Sequence, residues 1–259
     1  MRFPNRKELQ RFIDLIIVLT QKELKVRYKS SVFGYLWSVG HPLAFAVVFW
    51  IAFKVVMRFQ MENYTLFLIS GLFAWQWFAN SVAASAMTFL SNASIIKKVS
   101  FPKHLLVASS VLQDLLHFLF SIPVILIFLF AYSKAPTLAW LYGIPLLLII
   151  QYVLICGISM AVATLNLFFR DLERIVGILT MLLFYFTPVI YPESMVPEQY
   201  RFALDLNFMA PFIIGWRTLI IEGRFLWPTF GRGALYAAVI FCAGFWVYRK
   251  LSWKFAEVL

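Results

Sequence analysis

Apolar residues run through this chain in blocks separated by short polar breaks, at roughly 34–56, 64–90, 105–132, 141–168, 175–190 and 234–248. About twenty apolar residues cross roughly 30 Å of hydrocarbon, and a backbone in lipid must satisfy its own polar groups, which helices do. The pattern therefore predicts an all-α polytopic membrane protein with six transmembrane helices. Ahead of the first block, Pro4 can open a helix, and Leu9, Phe12, Ile13, Ile16, Ile17, Thr20 and Leu24 recur at three- and four-residue steps with basic residues between them. That spacing predicts an N-terminal amphipathic interface helix within residues 1–33, lying on the membrane surface. Between the fifth and sixth blocks, residues 187–232 hold apolar pieces such as 211–221 that reach about half the crossing length. Pro192, Pro197 and Pro211 each suit the first turn of a short helix, so this region is expected to form short re-entrant or gate helices on the outer face.

One polar island departs from the pattern. Residues 91–104, SNASIIKKVSFPKH, carry Lys97, Lys98 and Lys103 beside Ile95, Ile96, Val99 and Phe101. A solvated loop has little use for four large apolar side chains, whereas a segment that seats in another protein's groove needs both anchors and charge. The island is read as a docking element, with an ordinary membrane turn bearing topogenic lysines as the alternative.

Composition supports the membrane class and excludes a water-soluble one: 62% of the 259 residues are hydrophobic and 14% charged. The blocks leave no room for a separate soluble domain, so residues 1–259 are expected to form one transmembrane domain. The net charge of +11 would suggest nucleic acid in a soluble protein, but here the charges sort by side of the membrane. Sixteen of the 23 basic residues fall in residues 1–33, the island, the break at 169–174 and the tail at 249–254. Six alternating spans put these on one side, which the positive-inside rule makes cytoplasmic together with both termini. Anionic membrane lipid is then the partner of the basic surface, and no nucleic acid is expected. The apolar patch at 15–19 is too short for a cleaved signal segment. Cys156 and Cys242 both lie in apolar blocks, and no disulfide is expected.

Chemistry is sparse. Asp114 and His117, three residues apart on the third block, share a helix face deep in the membrane, as a proton relay or pathway group or as interhelical hydrogen-bonding partners. No HExxH, paired-cysteine or GxxxxGK[ST] pattern occurs, so neither a metal site nor ATP hydrolysis by a phosphate loop is expected of this chain. Phe45, Phe49 and Phe53 repeat every four residues, and Tyr185 lies in an aromatic cluster on the fifth block; such rings line a route for a bulky cargo or pack helices together. Gly157 and Ala161, with Ser159 and Ala163, offer an edge for close helix packing.

Several stretches together resemble a known family. KELKVRYKSSVFGYLWSVGHPL at 22–43, FLISGLFAWQWF at 67–78, IIKKVSFPK at 95–103, NLFFRDLERIV at 166–176 and FTPVIYPESMVP at 186–197 are similar to the Wzm-like permease subunits of type-2 polysaccharide ABC exporters, which serve O-antigen and teichoic-acid export. The resemblance implies a cytoplasmic interface helix containing Lys22, Lys25, Arg27, Tyr28 and Lys29. It also implies an ATPase-coupling helix over Ile95, Ile96, Lys97, Lys98, Val99 and Phe101, followed by Pro102. Phe169, Arg170 and Asp171 match an element at the inner end of the fourth span, and Pro188, Tyr191, Pro192, Pro197 and Asn207 an outer gate. Where the family has Leu-Asn-Pro, this chain has Leu206, Asn207 and Phe208, with Pro211 three residues later. The implied assembly is a homodimer of permeases with two nucleotide-binding subunits that hold ATP and Mg²⁺; this chain binds no cofactor. It moves a glycan linked to undecaprenyl diphosphate outward across the bacterial inner membrane. Two other readings are a proton-coupled transporter built on Asp114 and His117, and a membrane-embedded transferase acting on lipid-linked sugars.

Overall fold

The structure, a computed structural model, describes residues 6–28, 36–56, 58, 61 and 63–259. In chain order the helices are α1 (Arg6–Tyr28), α2 (Trp37–Trp50), α3 (Tyr64–Ser85), α4 (Thr88–Ser91), α5 (Ala93–Lys98), α6 (His104–Ala131), α7 (Ala139–Asn166), α8 (Leu172–Phe186), α9 (Phe202–Leu206), α10 (Ala210–Arg217), α11 (Trp227–Leu251) and α12 (Phe255–Val258). Among the described residues there is no strand. Helices α3, α6, α7 and α11 are long and apolar enough to cross a membrane, and Glu198–Leu206 with Ala210–Glu222 form a pair bent by 100°. Helix α2 has 14 residues and continues as a six-residue π-helical stretch, Ile51–Val56. Helix α8 has 15 residues, which at 1.5 Å each is about 22 Å, short of a full crossing. The expected six spans thus stand as four full-length helices, two shorter apolar ones and the bent pair.

Helix α3 occupies the centre. It touches α2, α6, α7, α8 and α10, and its large side chains, from Tyr64 through Trp75, Trp77 and Phe78, are buried all round. A helix that is apolar on every face is one surrounded by other helices. Its backbone is also read by neighbouring side chains: Gln151 on α7, fully buried, donates from Nε2 to the Ala74 carbonyl at 2.9 Å and accepts from Trp216 Nε1 on α10 at 2.7 Å. The indole of Trp77 donates to the Val111 carbonyl on α6 at 3.4 Å.

Helices α7 and α11 make the most extensive pair. Gly157 and Gly244 meet at their crossing: a Cβ on Gly244 would stand 1.9 Å from the Gly157 carbonyl oxygen, and one on Gly157 would stand 2.5 Å from Phe241 Cα. Small residues at this contact let the two backbones approach as membrane helices require when no aqueous hydrophobic effect drives them together.

Helix α1 differs in its packed edge from the periodic stripe. Phe12, Leu15, Ile16 and Leu19 lie against the core, whereas Ile13, Ile17 and Val18 are exposed. Its long contact is with α6, where Thr20 Oγ1 reaches the Ser109 carbonyl. The helix therefore has two apolar edges, one packed on the protein and one exposed, and the sequence pattern merges them. Helix α11 begins at Trp227 rather than near 234, because Pro228 occupies its first turn, where a missing N–H is harmless.

The α7–α11 crossing generates a direct test. Gly244→Ala should lower the melting temperature of the detergent-solubilised protein by several degrees, because overpacking costs roughly 1–3 kcal/mol and each kcal/mol moves a protein of this size by about 2–4 °C. Gly231, whose added Cβ would meet nothing within 4 Å, provides the control: Gly231→Ala should not lower it.

Candidate functional site

Two ends of the bundle carry the sequence-singled residues. One end gathers the basic breaks. There α5 is a six-residue helix, Ala93–Lys98, with Lys97 and Lys98 in its last turn and both exposed; cations there complement the carbonyl end of the helix. Val99 is 55% exposed, whereas Ile95, Phe101 and Pro102 are half-buried. Ile96 corrects the expectation of an exposed apolar row, since it is 7% exposed and seated in the core of its own chain. The helix also ends earlier than the resemblance implies. Val99 is extended at φ −125° and ψ 130°, and Phe101 precedes Pro102, a position disfavoured in the α region by clash with the proline ring.

The segment that leads into the short helix, residues 86–92, is held by side chains from three other elements. Lys22 Nζ on α1 donates to Asn92 Oδ1, the residue before α5, at 2.5 Å, and lies 3.3 Å from Glu23. Asn92 Nδ2 in turn donates to the Thr88 carbonyl at 2.9 Å. Asn166, at the end of α7 and fully buried, donates from Nδ2 to the Ala86 carbonyl at 2.8 Å and accepts the Glu173 N–H at 3.1 Å. That second bond satisfies one of the orphan donors opening α8. The third tether comes from beyond α11: Phe255 is fully buried, 4.8 Å from the Phe89 ring on α4. Phe169, Arg170 and Asp171 lie exposed in the α7–α8 turn, on this same end. Lys25 is exposed on α1; Arg27 and Tyr28 are in the same helix, and Lys29 lies outside the described residues.

Within the membrane span, Asp114 is 3% exposed and accepts a hydrogen bond from Ser81 Oγ on α3 at 3.0 Å, with His117 half-buried one turn on. This bond joins α6 to α3, as interhelical polar partners do. Of the aromatics read as channel lining, Phe49 and Phe53 are half-buried and packed inside the protomer. Phe49 lies 5.7 Å from Phe184, Phe53 lies 6.0 Å from Tyr64, and Phe184 continues to Trp75 at 5.5 Å. Tyr185 is 58% exposed; the side chain of Phe45 lies outside the described residues. Among the described residues no cluster of three His, Cys, Asp or Glu could hold a metal.

At the opposite end the bent pair is fastened to the end of α8. Asn207, 7% exposed, sits between α9 and α10. Its amide donates to the Phe186 carbonyl at 3.1 Å and to Thr187 Oγ1 at 2.9 Å, and its Oδ1 accepts the Met209 and Ala210 N–H groups at 2.9 and 3.2 Å. Pro211 stands in the first turn of α10. Tyr191 donates to the Tyr185 carbonyl at 3.1 Å, and burial pushes its phenol pKa up, which keeps that donor protonated. Pro188 is buried, Pro192 half-buried and Pro197 exposed. Arg217 donates from one amino group to the Pro188 and Val189 carbonyls at 2.7 and 3.0 Å, with its guanidinium 3.6 Å over the Phe67 ring. Cavities of about 350 and 340 Å³ flank this fastening and share Glu193, Ser194 and Ile214 in their walls.

Two residues in these arrangements escape motif reading: Arg217 and Phe255. Arg217 had a legible signal, a cation inside the apolar run 210–221, which is costly in a membrane and marks a position with a task. Phe255 is one aromatic in a chain with 19% aromatics, and no pattern separates it.

The bundle and its two ends define a multi-pass α-helical membrane protein with a short charged helix presented between two spans and a broken helix pair at the far side. The chain belongs to the ABC-2 type transporter family, whose pattern matches residues 14–221. It is thus a transport component rather than an enzyme. It is 46% identical over 259 residues to an O-antigen export system permease protein, RfbA, of Klebsiella pneumoniae, with both chains covered in full. It is 34% identical over 221 residues to a protein of the same description from Myxococcus xanthus, covering 84% of each. The polysialic acid transport protein KpsM of Escherichia coli is 24% identical over 184 residues, 69% of this chain and 70% of that one.

Asn207→Ala should loosen the far end while leaving the bundle folded. It leaves the Met209 N–H and the Phe186 carbonyl without their partner, while the Ala210 N–H keeps its bond to the residue-207 carbonyl, and an unmet buried group costs about 1–3 kcal/mol. Amide hydrogen exchange at Met209 should accelerate by about tenfold or more, with exchange in α3 unchanged.

Proposed function

We propose that this chain is the membrane subunit of an ATP-driven exporter that moves an O-antigen polysaccharide, linked to undecaprenyl diphosphate, outward across the bacterial inner membrane. It works as a homodimer with two nucleotide-binding subunits, and ATP and Mg²⁺ are bound there. The observation that carries the reading is α5: a six-residue helix between two spans, its lysines exposed and the segment 86–92 leading into it fixed by three other elements. Such a projection fits a groove on a motor protein, and its rigid base lets displacement of the helix move the bundle. The descriptions of the relatives support the cargo.

The basic end faces the cytoplasm with both termini, since arginine and lysine gather at that end and the positive-inside rule orients short loops by them. The opposite end, with Asn207, Tyr191 and the proline-rich turn, is the outer gate. Helix α8 supports the homodimer: Ile178, Leu179, Met181, Leu182, Tyr185 and Phe186 are all exposed on it, although at about 22 Å it is too short to serve as an isolated lipid-facing span. A second copy packed on this face gives it cover and places Tyr185 beside a central path. The exposed basic edge of α1 meets anionic lipid, at roughly 1 kcal/mol per basic residue near the surface.

ATP can drive this chain only if the motor binds its two conformations with different affinity. Charge reversal at the contact tests that link. With Lys97→Glu and Lys98→Glu together, O-antigen at the cell surface should fall by about tenfold or more, since like-charge juxtaposition across an interface costs several kcal/mol. Undiminished surface O-antigen in a fully expressed double variant would sink the reading.

A further inference from the structure

The segment after α11 reaches across the basic end and ends up between the two roots of the α5 projection. One root is α4, before α5; the other is the first turn of α6, after it. Phe255 touches the first root, its ring 4.8 Å from Phe89 of α4, and Lys103 Nζ, from the residue just before α6, stands 5.3 Å over its face. Tyr248, on the last turns of α11, repeats the pattern. Its ring is 6.3 Å from Phe89 and 5.7 Å from the His104 ring, and its hydroxyl accepts the His104 backbone N–H at 3.2 Å. His104 opens α6, so this bond satisfies a donor that the helix itself leaves unmet. Tyr248 and Phe255 also meet each other, at 6.0 Å.

Between the roots the projection has little of its own to transmit a push. Residues 99–103 are extended or turn-like, and Val99 and Ser100 are exposed. A displacement of α5 can bend this stretch before it moves α6. A wedge that touches both roots prevents that, because the two roots then move as one with α11, and α11 is packed backbone to backbone on α7 through Gly157 and Gly244.

We propose that Phe255 and Tyr248 are positioning residues for energy coupling: an aromatic wedge that joins both roots of the α5 projection to the α7–α11 pair, so that motion of α5 is passed to the bundle instead of lost in residues 99–103. This rests on the reading of α5 as the motor contact. It assigns to the segment 252–259 a part in transport itself, although none of that segment lies in the path or touches the motor by this account.

The experiment uses the full chain, reconstituted with its nucleotide-binding subunits in lipid vesicles, and measures ATP hydrolysis and glycan export in the same preparation. Phe255→Ala should leave the motor bound and hydrolysing ATP while export per ATP falls by about tenfold, within the usual range of coupling free energies. Phe255→Trp, which keeps an aromatic face toward Phe89 and Lys103, should restore most of it. Tyr248→Phe, which removes one hydroxyl and leaves the packing, should give a smaller loss of the same kind. An unchanged export-to-hydrolysis ratio in Phe255→Ala overturns the proposal, as does loss of the motor from that variant or failure of the tryptophan to rescue. The Lys97→Glu, Lys98→Glu variant run in parallel separates the two claims: if it exports normally the motor contact is misplaced, whereas if it fails and Phe255→Ala does not, the wedge alone is refuted.

Discussion

Inside hydrocarbon a polar group without a partner costs several kcal/mol, and that constraint decides which side chains this chain can place in its middle. Gln151 is the clearest case. Its amide spends its donor on a carbonyl of α3 and its acceptor on the indole of α10, so three elements are fixed in register by one side chain. Asn166 and Asn207 repeat the arrangement at the two ends, each with donor and acceptor both engaged. The bundle is apolar in bulk, but its relative helix positions are set by these few amides, because dispersion contacts between smooth apolar faces tolerate sliding and a hydrogen bond does not.

The same constraint separates the two ends by chemistry. At the basic end the unmet groups of short helices are satisfied by side chains from distant parts of the chain, so α5 projects without being loose. At the far end the unmet groups are carbonyls after α8, and a cation meets them. Arg217 can stay in that setting because two carbonyls and the Phe67 ring surround its guanidinium. Gly71 beside it has no side chain, and a Cβ there would stand 3.1 Å from the guanidinium. Sequence choice on α3 is thus partly dictated by a residue almost 150 positions away.

The long spans and the short helices between α8 and α11 were legible from apolar run length, which the bilayer fixes, and the amphipathic start from its three- and four-residue spacing. What escaped was direction around a helix. The α1 stripe read from spacing contained Ile13 and Ile17, yet these face away from the protein, since a membrane-associated helix is apolar toward both lipid and neighbour and periodicity cannot tell the two apart. Ile96 was misjudged for a related reason: in a polar island an isoleucine reads as an exposed anchor, but the island is only a few residues wide and one face of its helix must rest on the bundle. Phe49 and Phe53 are half-buried against rings of α3 and α8, and a four-residue repeat of phenylalanine is equally consistent with either fate.

The tail shows a different limit. Phe255 lies more than 150 residues from Phe89, and nothing in the local pattern of either predicts their contact. What makes it necessary is topological. The segment after α11 ends beside the elements that flank α5, and a large aromatic at a membrane–water boundary is stabilised by finding cover. The cover available there is α4, which at four residues is too short to form a core of its own, and the start of α6. An exposed helix of six residues is marginal in isolation, so this projection must borrow its rigidity. In this chain it borrows from both ends of the sequence: Lys22 on one side and Phe255 on the other.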